Sequence, residues 1–231
     1  MTDLSNVLPI GELDLAFLKS VDSPTISNAI EPFKVRDRTE GFIGGEVRAL
    51  FPEMPPTVGV ALTVTMTDTP GTIAARENYW RMYEALSQMP APSVFVVQDI
   101  SGAPSRCALT GEVMATRAMR LGAVGMVTDG GLRDVHEVRR LGFAYFARYV
   151  VVSHANYEIV DIGGPVTLDG QEVRTGDILH GDANGVVIVP RQVLDGLPEA
   201  VEEVRTRERA TMDFINSSAF TIAAERKRAG Y

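Results

Sequence analysis

Cysteine and lysine are the scarce residues of this chain. A single cysteine, Cys107, in 231 residues excludes an intrachain disulfide and a thiolate metal cluster. With no clear histidine partner, it reads as a small buried apolar residue rather than a nucleophile. Lysine occurs only at Lys19, Lys34 and Lys227, and arginine supplies the rest of the 22 basic residues. Schiff-base chemistry needs a desolvated lysine at the reacting carbon. None lies near the polar centre described below, so carbonyl chemistry here would use a metal instead. The three histidines, His136, His154 and His180, have no HxH or HExxH spacing, which argues against a zinc site. There is no GxxxxGK[ST] loop and no GxGxxG after a strand, against nucleotide hydrolysis and dinucleotide binding. No apolar run approaches the roughly 18 residues of a membrane span. The start, MTDLSNVLPIGELDL, lacks the basic and apolar regions of an export signal, so a cytoplasmic location without a membrane partner is expected. A net charge of -8 argues against a nucleic-acid surface. The basic runs RTRERA and ERKRAG near the C-terminus read as solvated helix.

What is present suits one globular domain. A length of 231 residues with 45% apolar and 23% charged residues can bury one substantial core. Leu13, Leu15, Phe17 and Leu18 mark a first helix, and Ser23-Pro24 reads as the N-cap and first position of a second, through Ile30. Residues 42–50 and 58–67 read as strands around a proline-rich loop, 72–89 as a helix, and 93–99 as a strand. The segment 101–108 reads as a loop and 143–153 as a strand. Three short strands, 165–168, 171–174 and 185–189, flank the turn signals Asp169-Gly170 and Asn184-Gly185. From Arg191 onward the chain reads as helix, restarted at Pro198. Its charged part, residues 199–212, is expected to make few apolar contacts and to reach a neighbouring subunit.

The chemistry is concentrated in GEVMATRAMRLGAVGMVTDGGLRDVHE, residues 111–137. Apolar positions from Val113 to Leu121 recur with helical period and stop at Gly122. Val124 to Val127 read as a buried strand broken by Asp129-Gly130-Gly131, and Val135, Val138 and Leu141 mark a second helix ending at Gly142. Helix, strand and helix imply a parallel crossover, and ligands collect beyond the carboxyl ends of such strands. Glu112 opens the first helix, where the N–H groups of Val113 and Met114 can hold a carboxylate. Arg133, Asp134 and Glu137 follow the strand. An Arg133/Glu137 pair four apart is by itself an ordinary solvated helix pair. The glycine-flanked loop, which lets backbone approach a ligand, favours a site. His136 is offset from Asp134 and Glu137, so it would at best orient a ligating group.

Gly111-Glu112, the gap to Arg133-Asp134, and Glu137 together resemble the signature of the 4-hydroxy-4-methyl-2-oxoglutarate aldolase family, which includes the regulator of ribonuclease E activity A. The similarity continues through residues 130–148 and 175–190, covering about residues 20 to 190. The resemblance implies an α/β fold, a single-domain three-layer β/β/α sandwich resembling the phosphohistidine swivelling domain, with a helical C-terminal arm over 191–231. It implies a magnesium or manganese ion held directly by Asp134 and through water by Glu112 and Glu137. Arg133, Gly111 and the N–H groups of Val113 and Met114 would bind a small 2-oxo acid. The implied reactions are class II cleavage to pyruvate and oxaloacetate decarboxylation, in a homotrimer or dimer of trimers. A metal-bound water, or Glu199, Glu202 or Glu203 from an adjacent subunit, would be the base. The family's usual leucine pair is Val113-Met114 here, and its glycine-aspartate turn before the strand is Ala91-Pro92-Ser93. A non-catalytic ribonuclease regulator is the alternative, and in that branch the position of Asp134 resembles a glutamine.

Overall fold

The computed structural model describes residues 4–68 and 76–230. It opens with α1 (Glu12–Leu18) and α2 (Ser23–Ile30). Asp22, one residue before the expected cap, closes the start of α2 by accepting the Thr25 N–H at 2.9 Å. The expected strand over residues 42–50 shrinks to β1 (Arg48–Ala49) and a single bridge from Phe42 to Val187. Gly44 and Gly45 interrupt that run, and a Cβ at Gly44 would strike the Asp169 carboxylate. Next come β2 (Thr57–Asp68), α3 (Arg76–Gln88) and β3 (Ser93–Asp99). The start of the helix expected at 72–75 lies outside the described residues.

The segment expected to be a loop ends in a short strand, β4 (Ala108–Thr110), followed by α4 (Glu112–Arg120), β5 (Ala123–Leu132), α5 (Val135–Leu141) and β6 (Ala144–Val150). Asp129-Gly130-Gly131 does not end β5. The strand runs on to Leu132 because its register against β6 slips between Thr128 and Gly131, and β4 takes over from β3 as its neighbour. The remaining strands are β7 (Tyr157–Ile162), β8 (Val166–Leu168), β9 (Gln171–Val173), β10 (Ile178–Asp182) and β11 (Gly185–Val189). The chain finishes in α6 (Leu197–Ile215), with Pro198 in its first turn, and α7 (Ile222–Arg228).

Nine strands form one sheet in the order β1-β6-β5-β3-β2-β10-β11, with β4 on β5 and β7 on β2. Its centre, β6-β5-β3-β2, is parallel. Seven consecutive buried positions in β2 mark a strand covered on both faces. The two faces feed two cores. Phe95, Val97 and Met126 pack with helix residues such as Leu86, Ala115 and Val138. Val94, Val96 and Val127 pack with Val166, Leu168 and Val173 of the β8-β9 hairpin. The layers are therefore helices, a mixed sheet and a small hairpin. That hairpin turns at Asp169 and Gly170, both at positive φ, as the Asp-Gly signal predicts.

One further feature corrects the sequence reading, and another adds to it. The arm is not free over its first half: Leu197, Ala200, Val201 and Val204 of α6 are buried, against α2. His180 is fully buried, with Nε2 2.9 and 3.0 Å from the carbonyls of Leu18 and Val21. Carbonyls only accept, so Nε2 carries the proton and Nδ1 accepts from the Ser23 hydroxyl. Burial lowers its affinity for a second proton, and it serves to tie β10 to the α1–α2 turn.

Candidate active site

The C-terminal end of β5 faces the start of α4. The Arg133 N–H donates to the Thr110 carbonyl at 3.0 Å, which locks the end of β5 to β4 just before Gly111. Asp134 follows at φ 55°, ψ 43°, a left-handed conformation that costs a non-glycine residue roughly 1–3 kcal/mol. It occupies the N-cap position of α5 yet makes no side-chain cap there. Its Oδ2 instead accepts the Glu112 N–H at 2.9 Å, reaching the neighbouring helix start. Arg133 Nε lies 4.0 Å from the same oxygen.

Gly111 is the hinge of this arrangement. A Cβ there would fall 2.2 Å from Asp134 Oδ2 and 3.0 Å from Arg133 Nε. Its own φ of -130° is open to any residue, so glycine is required for space rather than conformation. With no side-chain cap on α4, helix geometry leaves the N–H groups of Val113 and Met114 without intrahelical acceptors. The structure thus brings together Gly111, Glu112, Val113, Met114, Arg133 and Asp134.

Glu137 is placed differently. Its carboxylate meets Arg140 at 3.2 Å rather than Arg133, and its own backbone N–H together with Arg140 holds its pKa below the ordinary glutamate value. The Arg133/Glu137 pair weighed as a plain helix-surface contact is not formed: Arg133 precedes α5, which starts at Val135, so the two do not share a helix face. Glu199, Glu202 and Glu203 lie exposed on α6, whose buried face packs on α2. Cys107 is buried, and burial, then Asp68 and Asp99, push its thiol up to about 12, so it is no nucleophile at neutral pH.

A divalent ion fits this donor set only in one manner. Asp134 is the one carboxylate fixed by the backbone, and no group of three or more metal-binding side chains occurs among the described residues. A single fixed carboxylate suits magnesium, which keeps most of its waters, and not an all-protein cage.

Tyr157 and Arg117, beside the site, escaped the sequence reading. Tyr157 of β7 places its hydroxyl 3.8 Å from Met114 Sδ. Arg117 of α4 donates to the Tyr79 hydroxyl. Asp129 accepts the Asp99 N–H at 2.8 Å, and burial chiefly, with the Asp99 charge adding, raises its pKa to about 6. The sequence reading placed Asp129 at the strand end where ligands collect, but not its pairing with Asp99.

A model of a known family, described as RraA-like, Aldolase/RraA, matches residues 18–188, about three quarters of the chain. The chain belongs to the RraA-like family. Among curated relatives, a protein of Halalkalibacterium halodurans named "Putative 4-hydroxy-4-methyl-2-oxoglutarate aldolase" is 32% identical over 137 residues, 57% of this chain. The chain spans 62% of that relative's own length. A protein of the same name from Laribacter hongkongensis is 33% identical over 125 residues, 53% of this chain and 77% of the relative. In fold, the RraA-like chain is similar to an uncharacterized protein of Pseudomonas syringae, with a TM-score of 0.73 and 24% identity over 98% of this chain and 97% of the other. It is also similar to Streptomyces coelicolor RraAS2, described as an unusual member of the RNase ES inhibitor RraA protein family. That match has a TM-score of 0.69 and 23% identity over 89% of this chain and all of the other.

Proposed function

We propose that the protein is a carbon–carbon lyase that cleaves 4-hydroxy-2-oxo acids, such as 4-hydroxy-4-methyl-2-oxoglutarate, to pyruvate, and decarboxylates oxaloacetate through the same enolate. The observation that carries the reading is the strained Asp134, whose carboxylate meets the start of α4 beside Arg133 around a glycine that leaves room for nothing larger.

The N–H groups of Val113 and Met114 hold the substrate's C1 carboxylate, as helix starts hold anions. The planar fork of Arg133 spans that carboxylate and the 2-oxo oxygen. When the C3–C4 bond breaks, its electron pair moves onto C2–C3 and the 2-oxo oxygen becomes an enolate. Arg133 stabilises that negative oxygen, a role whose removal typically costs roughly 10²–10³ in rate. The C4 hydroxyl proton leaves to a base as C4 becomes a carbonyl, and the enolate takes a proton at C3 to give pyruvate. Glu112 is the exposed carboxylate of this chain at the site. Glu199, Glu202 or Glu203 would come from a neighbouring copy in a trimer or dimer of trimers. A magnesium or manganese ion, held directly by Asp134 and through water by Glu112 and Glu137, would supply a Lewis acid for the 2-oxo group. Loss of carbon dioxide from oxaloacetate leaves the same enolate and needs no base.

The test is pyruvate release from both compounds by EDTA-stripped protein, with and without added magnesium. Release above the metal-only blank, restored by magnesium, supports the reading. The family's description also names RraA, and a ribonuclease regulator is the second reading for this chain. No release from either compound, with capture of a ribonuclease, would favour it.

A further inference from the structure

One face of α4 runs from the site to two arginines. Val113, Thr116, Arg117 and Arg120 share a stripe at i, i+3, i+4 and i+7. With Glu112 and Leu141 they line an open depression of about 740 Å³. Glu112 and Val113 belong both to this depression and to the site, so the two are continuous. Among the described residues neither Arg117 nor Arg120 forms an ion pair. Two guanidinium groups against one carboxylate leave the depression cationic.

Arg117 is held in place. Its guanidinium carbon lies 5.7, 5.2 and 4.9 Å from the ring centroids of Tyr79, Trp80 and Tyr83 on α3, within cation–π range. Its Nη1 donates to the Tyr79 hydroxyl. Long side chains on a helix lean toward its N-terminus, which carries this head back toward Glu112 and Val113. The Tyr79 ring lies 6.3 Å from that of Tyr157, whose hydroxyl meets Met114. Tyr79, Arg117, Tyr157 and Met114 thus form one wall beside the helix start. The two carboxyl carbons of an extended five-carbon diacid are about 5–6 Å apart, from bonds of about 1.5 Å. One turn of helix rises about 5.4 Å, which matches that span.

Resting on the lyase reading above, we propose that this depression receives the second carboxylate of a dicarboxylic 4-hydroxy-2-oxo acid, and that Arg117, with Arg120, selects dicarboxylic over monocarboxylic substrates. The fixed guanidinium supplies a charged hydrogen-bond fork at little further ordering cost.

The experiment compares kcat/KM for 4-hydroxy-2-oxoglutarate and for the monocarboxylic 4-hydroxy-2-oxopentanoate in the wild type, Arg117→Met, Arg117→Lys and Arg120→Gln. Arg117→Met should lose roughly 10- to 100-fold on the diacid, mainly through KM, and at least about tenfold less on the monoacid. Arg117→Lys should fall between, and the exposed Arg120→Gln should shift the same ratio with its thermal midpoint unchanged. Equal losses on both substrates, or no loss on the diacid, would overturn the proposal. If the wild type cleaves neither compound, the lyase reading fails by itself. Calorimetric binding of 2-oxoglutarate and pyruvate then decides: Arg117→Met must weaken the first more than the second, and equal weakening overturns the proposal.

Discussion

Asp134 shows how a single residue can be spent on function. An aspartate in the left-handed region at a helix N-cap would ordinarily take an N–H of its own helix, yet this one turns to Glu112. Gly111→Ala tests the consequence. The added methyl must push the carboxylate and Arg133 aside, while the backbone at φ -130° accepts alanine. Pyruvate release should fall by roughly 10²-fold or more, by comparison with loss of one transition-state donor. Urea unfolding should show a loss of roughly 1–3 kcal/mol, as for overpacking at a buried position, with the protein still folded at the assay temperature. Asp129 carries the opposite kind of strain. Its carboxyl has a folded pKa of about 6, above the unfolded value, so folding favours the protonated form. Stability is therefore gained as pH falls through about 6 and lost as it rises, over a window down to about 4. Asp129→Asn keeps the acceptor for the Asp99 N–H and removes the charge. It should be more stable than the wild type by about 1–3 kcal/mol at pH 8 and equal to it near pH 4, measured by urea midpoints.

At the scale of elements, α4 and α5 act as a pair that flanks the end of β5. α4 was legible because its apolar positions recur with helical period and Gly122 stops it. The C-cap of α5 at Gly142 was legible for the same reason, and that glycine sits at φ 76°. The strands β7 and β10 were not legible. Tyr157–Ile162 has buried positions only at its third and sixth residues, and Ile178–Asp182 contains a buried histidine and glycine, so neither shows a clean period of two. Missing β7 hid Tyr157, and with it the wall that Tyr157 forms with Tyr79, Arg117 and Met114. The charge of residues 199–212 concealed a different feature: Val201 and Val204 form a narrow apolar stripe on an otherwise polar helix. Val204→Asp places an unpaired charge against α2 and should destabilise the fold by about 3 kcal/mol or more, read from urea unfolding. A loss under about 0.5 kcal/mol would return α6 to the role of a free arm.

Across the whole molecule, one nine-stranded sheet divides two cores and leaves a single strand end where backbone donors, a guanidinium and a fixed carboxylate meet. Residues 18–188 carry the family's pattern. The residue types at the site were legible because RD after a strand and GE before a helix each have a physical use. Their mutual geometry was not, since it depends on the register slip in β5 and on one left-handed residue. The central claim is that Arg133 and Asp134 form a site that stabilises pyruvate enolate, and it can be tested without knowing the natural substrate. Pyruvate in D2O is followed by proton NMR for loss of its methyl signal, with magnesium, for the wild type, Arg133→Ala and Asp134→Asn. The account predicts exchange well above the metal-only blank for the wild type, reduced by roughly 10²-fold or more in both variants. Wild-type exchange no faster than the blank, or variants as fast as the wild type, would contradict it.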